Sequence, residues 1–319
     1  MASSSRHRSA STWMPAPSGG ARTSRSGSAR RSLATEGGHL GEYDPSVRSA
    51  LLAEAVHVVR AFGFAGAHVV IIGGLVPSLL VPKPEVGIEP HIGTQDLDLC
   101  LRVALVEGEV GHYERLERTL KAAGFTMDSR SSWRWKGGVT HPLTVEFFCA
   151  LAPGREAGRL YRPGGVVGGR LSALVLAAGR LIDRDFLEKE VVVVLPGGGG
   201  RTRQRLRVAG PAAYLAAKVD ALRKRPKNKD AYDIVWLIES WPGGQAGLAP
   251  VIQASPIHDD PDFQQALVAL AQEFEDLDAA GARKYARFVA SPGVDPDHSA
   301  RRASGAVKLL LAELAALRL

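Results

Sequence analysis

Three short stretches hold residues that could act on a phosphate: Gly73-Gly74 after an apolar run, Asp96 and Asp98 two apart, and Glu146 between Val145 and Phe147. Carboxylates at i and i+2 on a strand point to the same side, so Asp96 and Asp98 can share one divalent cation. Glu146 on a neighbouring strand can complete a second site. Two hard cations about 3.5 to 4 Å apart steady both the attacking and the leaving oxygen of an in-line displacement. Glycines let the backbone approach a phosphate closely, and a helix starting near Leu75 would aim its free amides at that anion. The chemistry these residues suit is metal-assisted attack on a nucleoside triphosphate, with Mg2+ or Mn2+ as the cation.

Regular elements must carry these groups, and the hydrophobic pattern predicts them. Asp44-Pro45 marks a helix start, and Val47, Leu51, Leu52, Ala55, Val58, Val59 and Phe62 recur at helical spacing up to Gly63. The run 68–72 reads as a buried strand, 75–81 as a short helix and 82–93 as a loop. Residues 95–103 alternate, with Asp96, Asp98 and Cys100 on one face and Leu97, Leu99 and Leu101 on the other. A helix over 110–123 carries Tyr113, Leu116 and Leu120 inward and stops at Gly124. Strands are expected over 132–136 and 142–151, joined at Gly137-Gly138, and a hairpin over 190–195 and 203–208 across Gly197 to Gly200. Helices follow over 211–223, 229–240, 262–275, 279–289 and 304–317. The fold expected is α+β: a mixed sheet with flanking helices, then a helical C-terminal region.

Composition narrows the class. With 319 residues, 45% hydrophobic and 23% charged, the chain has the make-up of a soluble globular protein of about two domains. No apolar run reaches the roughly 18 to 20 residues that span a bilayer, so a membrane protein is not expected. Of the net charge of +7, six units fall on residues 1–35, which hold Arg6, Arg8, Arg22, Arg25, Arg30 and Arg31 and no acid. A disordered basic tail over 1–40 is therefore expected, ahead of an α/β domain over 41–209 and a helical domain over 210–319. The two cysteines, Cys100 and Cys149, lie on strand faces that point apart, so no bridge is expected; so few cysteines suggest a reducing, cytoplasmic setting. The nine histidines show no metal-ligand spacing, and no Walker pattern occurs.

The order of these motifs carries a resemblance. Gly73-Gly74, then Thr94-Gln95-Asp96-Leu97-Asp98-Leu99, then Val145-Glu146-Phe147, resembles the nucleotidyltransferase superfamily of the DNA polymerase β type. Lys218-Val219-Asp220-Ala221-Leu222, followed by Lys229-Asp230-Ala231-Tyr232-Asp233-Ile234, is similar to the AbiEii/AbiGii toxin-like bacterial branch. The resemblance spans roughly 69–238. It implies a nucleotidyltransferase-like sheet and transfer of a nucleoside monophosphate from an NTP to an acceptor. It assigns metal binding to Asp96, Asp98 and Glu146, NTP binding to Gly73, Gly74, Thr94 and Lys218, and places Lys218 and Asp230 facing the site as catalytic residues. It also implies a toxin paired with an antitoxin, with RNA among the acceptors. Two departures stand out: a long insertion over 82–93, and Gly74 where many members have Ser.

Each signal also has an ordinary reading. Gly-Gly can be a plain turn, Asp-x-Asp a solvated edge, and Asp230 a charge at a helix start. Lys218 can be a surface lysine, and the run Arg223, Lys224, Arg225, Lys227 and Lys229 a solvated loop or a grip on triphosphate or RNA. Trp133 and Trp135 share a face and read as sheet core or as a base-stacking platform. Two alternatives to an RNA-modifying enzyme remain: a non-catalytic nucleotide or nucleic-acid binding module, and a small-molecule (antibiotic) nucleotidyltransferase.

Overall fold

The structure is a computed structural model that describes residues 38–44, 47–63, 68–102, 111–152, 154–162 and 171–318; among 111–115 only the backbone is described. Most of the expected tail, Pro45 of the expected helix start and the side chain of Tyr113 lie outside the described residues. Gly38 and His39, at the end of the expected tail, do have partners: Asn228 Nδ2 donates to Gly38 O at 3.3 Å, and His39 Nε2 lies 2.6 Å from Ala290 O.

The helix α1 (Arg48–Ala61) leads into β1 (Val69–Ile72), a short turn, and α2 (Val76–Leu80). The strand β2 (Asp96–Leu101) follows, then α3 (Gly111–Ala122), β3 (Thr126–Asp128), β4 (Ser131–Gly137) and β5 (Leu143–Ala150). Two short strands, β6 (Leu160–Tyr161) and β7 (Ala173–Leu176), and the helix α4 (Gly179–Arg184) precede a long hairpin of β8 (Phe186–Val194) and β9 (Arg201–Ala209). The helices α5 (Pro211–Lys224), α6 (Lys229–Ser240), α7 (Gly244–Gln253), α8 (Pro261–Glu273), α9 (Ala280–Phe288) and α10 (Pro296–Ala316) complete the chain.

The strands form one mixed sheet in the order β3-β4-β5-β2-β1-β9-β8, with β7 pairing β5 and β6. β2 runs antiparallel to β1 and parallel to β5, and the register sets Ile72 beside Asp98 and Asp98 beside Glu146. Leu97, Leu99 and Leu101 of β2 and Val145, Phe147 and Cys149 of β5 are wholly buried. On this face Phe62, the residue that follows α1, packs on Phe147 with ring centroids 6.1 Å apart. Period-two alternation thus sends the leucines into this core and the carboxylates to the opposite face. Cys100 and Cys149 are free and buried. No helix among the described residues is long and apolar enough to cross a membrane.

A buried acid fixes the loop between β4 and β5. Glu54 of α1 is fully buried, and its Oε1 accepts from the amides of Val139, Thr140 and His141 and from the Thr140 hydroxyl. Burial pushes its pKa up, but these donors outweigh burial and hold it below the ordinary value. A depressed carboxylate stabilises the fold above its unfolded pKa, and that stability is lost as pH falls through the folded value. Glu54→Leu is expected to cost about 1–3 kcal/mol at pH 7, the penalty for buried donors left unsatisfied. Urea melts of both proteins check it, and the gap should narrow once the pH drops below the ordinary glutamate value of 4.5.

Candidate active site

On the carboxylate face of the sheet, a cleft of about 610 Å3 opens between β2, β4 and β5 on one wall and the start of α6 with the end of α5 on the other. Asp96, Asp98 and Glu146 line the sheet wall, Gly74 and Thr94 the floor, and Lys218, Arg225, Lys229, Asp230 and Asp233 the helical wall. The sequence motifs, separated by up to 160 residues, therefore meet in one place.

The glycine turn is shaped by what touches it. Gly73 has φ +70°, and a Cβ there would stand 1.8 Å from Asp98 Oδ2, so both backbone and space demand glycine. A Cβ on Gly74 would stand 2.7 Å from Thr94 Cβ, 2.8 Å from Thr94 Oγ1 and 3.2 Å from Lys229 Nζ. This accounts for the departure at position 74: Thr94 fills the space a serine would need and already brings a hydroxyl to the turn. Gly73→Ala should displace the Asp98 carboxylate and remove NTP binding, and Gly74→Ser should weaken it by pushing Thr94 aside. Titration with a fluorescent NTP, beside thermal melts of the variants, measures both.

The carboxylates crowd one another. Burial pushes Asp98 up, Asp96 adds to this, and Lys218 and Arg225 pull it back. Burial and then Asp98 push Glu146 up to about 8, against Arg134, whose Nε lies 2.7 Å from Glu146 Oε1. Among the described residues no three His, Cys, Asp or Glu side chains are gathered as a ready-made metal site. The donor set nonetheless fits a hard divalent cation as a pair: Asp96 and Asp98 offer oxygens from one strand face, and a cation would turn their repulsion into attraction. Mg2+ is commonly held by one or two carboxylates with substrate phosphates completing its shell. Glu146, the third expected ligand, has Arg134 as its partner in this conformation.

The helical wall is a buried ion network. From Lys229 to Ile238 every residue of α6 is buried, so its charged first turn must find partners inside the protein. Lys218 Nζ donates to Asp230 Oδ1 at 2.9 Å and to Asp233 Oδ2 at 2.6 Å. Lys229 Nζ donates to Asp233 Oδ1 at 2.6 Å, and Arg225 grips Asp230 through Nε and a terminal nitrogen, each at 2.7 Å. Burial alone would push both acids up, but Lys218, with Lys229 on Asp233 and Arg225 on Asp230, holds both below the ordinary range. Burial lowers Lys229, whereas for Lys218 it is outweighed by Asp230 and Asp233, which raise it.

The insertion over 82–93 reaches this network. His91 Nδ1 accepts from the Gly93 amide, so Nε2 carries the proton and donates to Asp233 Oδ1 at 2.9 Å. Burial lowers His91 to about 4, which keeps it neutral. Tyr232 and Trp236 also hold the loop, through the Ile92 amide and the Glu89 carbonyl.

The sequence-expected residues thus sit together, with changes of role. Lys218 is buried and paired on both sides, and Asp230 belongs to the network rather than to a simple helix cap. Of the basic run, Arg225, Lys227 and Lys229 line the cleft, whereas Arg223 and Lys224 are exposed and pair with Glu273 and Asp220. The tryptophans part company: Trp135 is fully buried core, and Trp133 lines the cleft, edge-on to Phe148 with centroids 5.3 Å apart. His91, Arg134 and Tyr43, which also line or brace the site, were not singled out from sequence. The hairpin register pairs Arg134 with Glu146 and offered a signal for that one; His91 lies in a loop and offered none.

The comparison with known families gives the class, a nucleotidyltransferase. Residues 185–305 match the family model described as nucleotidyl transferase AbiEii toxin, type IV TA system, and this span includes Lys218, Lys229, Asp230 and Asp233. The resemblance read from the second motif block is thereby shown, and the chain is a nucleotidyl-transfer enzyme by that match. Comparison with curated proteins gives no match. Among solved structures the chain is similar to JHP933 from Helicobacter pylori, with 13% identity, 84% of this chain and 94% of that chain covered, and a TM-score of 0.37. It is also similar to the Bradyrhizobium diazoefficiens CD-NTase CdnG in complex with GTP, with 12% identity, 89% and 90% covered, and a TM-score of 0.23.

Proposed function

We propose that this cleft binds an NTP with a divalent cation and transfers its nucleoside monophosphate to an acceptor hydroxyl. The observation that carries the reading is the pairing of a carboxylate wall with a cationic wall across a glycine turn in one cleft. The turn's backbone and Lys229 hold the triphosphate. Lys229 Nζ has three donors and gives one to Asp233, which leaves two for phosphate oxygens; Lys218 has one left after Asp230 and Asp233. Asp230, Asp233 and the neutral His91 fix those lysines in place. Asp96 and Asp98 would hold Mg2+ or Mn2+, which supplies charge neutralisation at the phosphates. Glu146 is the third carboxylate of the set, and Arg134 balances its charge.

RNA is the acceptor class we favour over a small molecule, and the biological role we propose is that of a bacterial, cytoplasmic toxin with a cognate antitoxin, in keeping with the matched family. The test incubates the protein with each labelled NTP, Mg2+ and total cell extract, then asks whether label enters RNA, protein or a small molecule. Label in RNA supports the reading in full. Label in a small molecule keeps the transfer and overturns the acceptor. NTP binding without any transfer favours the non-catalytic module.

A further inference from the structure

The β8–β9 hairpin carries a feature that the cleft does not use. Arg201, Arg203, Arg205 and Arg207 alternate along β9, and the pairing of Ile71 with Val208 puts them on the same sheet face as Ile72 and Asp98. Arg201, Arg203 and Arg205 are exposed, and Arg207 is partly so. β9 is parallel to β1, so its C-terminal end is the end at the site; Ala209 lines a small cavity beside Asp98 and Gly73. The stripe therefore runs outward from the catalytic end of the sheet.

Its charge is unbalanced. Opposite these arginines on β8 stand Glu188, Glu190, Val192 and Val194. Glu188 pairs with Arg205 and Arg207, both at 3.3 Å, and Glu190 with Arg203 at 3.2 Å. Among the described residues no carboxylate lies within 4 Å of a nitrogen of Arg201, and two acids face four arginines. A purely structural ladder would match charges one to one and would gain little from exposed pairs. The spacing also suits a polymer: alternate residues on a strand lie about 6.7 Å apart, two steps of a stacked nucleic-acid strand at about 3.4 Å per phosphate.

We infer that this face is the docking surface for a single-stranded nucleic acid, held by its phosphates and led toward the cleft. The inference rests on the nucleotidyl-transfer reading only in naming the strand as the acceptor. It is tested with a fluorescent 20-nucleotide RNA blocked at its 3′ end, and with DNA of the same sequence, by anisotropy from low to moderate salt. Arg201→Ser/Arg203→Ser/Arg205→Ser should bind both probes at least about tenfold more weakly and flatten the log–log salt slope by about two units, given about 0.7 per phosphate contact on single strands. Glu188→Gln/Glu190→Gln should bind more tightly and steepen the slope, and triple Arg→Lys should retain binding. All variants should bind NTP as the wild type does, since none of these residues lines the cleft.

Unchanged affinity and slope in the triple Ser variant would overturn the inference, as would loss of binding to an acidic protein partner with RNA binding intact. Wild-type binding to the blocked RNA, with no nucleotide transfer to the unblocked RNA or to cell extract, would sink the functional reading and leave the docking surface standing. Transfer to a small acceptor by a protein that binds neither probe would do the reverse.

Discussion

Asp96→Asn/Asp98→Asn is expected to lose nucleotide transfer by about three orders of magnitude or more. A divalent cation contributes several kcal/mol to the transition state, and each 1.4 kcal/mol or so is tenfold in rate. The same substitution should leave the melting temperature equal or higher without cation. Burial and Asp96 raise the Asp98 carboxyl, and burial and Asp98 raise Glu146 to about 8, so the folded state resists ionising this cluster. Acids raised in this way favour the fold while protonated, and their cost grows as pH climbs from the ordinary carboxylate range toward the folded values. The wild type should therefore lose stability between about pH 5 and pH 8, a trend flattened in the double variant. Mg2+ should restore the wild type at the alkaline end and not the variant. Thermal melts across pH with and without Mg2+, run beside the transfer assay, give both readings. Transfer at wild-type levels in the double variant would sink the site.

Asp233→Ala is expected to be the most destabilising single change on the helical wall, at about 3–5 kcal/mol, the range for breaking a buried ion network by removing one member. Asp233 accepts hydrogen bonds from Lys218, Lys229 and His91, and its loss leaves two lysines facing each other in a buried place. Because its pKa is held well below the ordinary aspartate value, its contribution is complete above that value and disappears only as the solution becomes strongly acidic. Adding Lys218→Met should recover part of the stability, since the second change removes one of the stranded charges. A double-mutant cycle by urea unfolding measures this; strictly additive losses would show that the two side chains are not coupled.

Much of the frame was legible in the sequence because it rests on local patterns. The alternation of Asp96 to Leu101, the apolar run before Gly73 and the helical spacing of 229–240 match the observed elements closely. Five elements escaped notice: β6 has two residues and β3 three, α7 begins with glycine and holds Pro250, and β7 and α4 are only four and six residues long. β8 and β9 run longer than expected, since their charged ends are stabilised by cross-strand pairing rather than by apolar alternation.

By itself the sequence determined that Asp96 and Asp98 share a strand face opposite buried leucines, because that follows from the two-residue period of any strand. Only the tertiary structure decided which groups meet them. Lys218 is a buried cation because α6 is enclosed and its acids at 230 and 233 need partners, and position 74 has room for a serine only if Thr94 moves aside. His91 bonds Asp233 across 142 residues, and Arg134 holds Glu146 across a hairpin. Such contacts are set by the packing of distant elements and by the cost of leaving a buried charge unpaired, which no local spacing encodes.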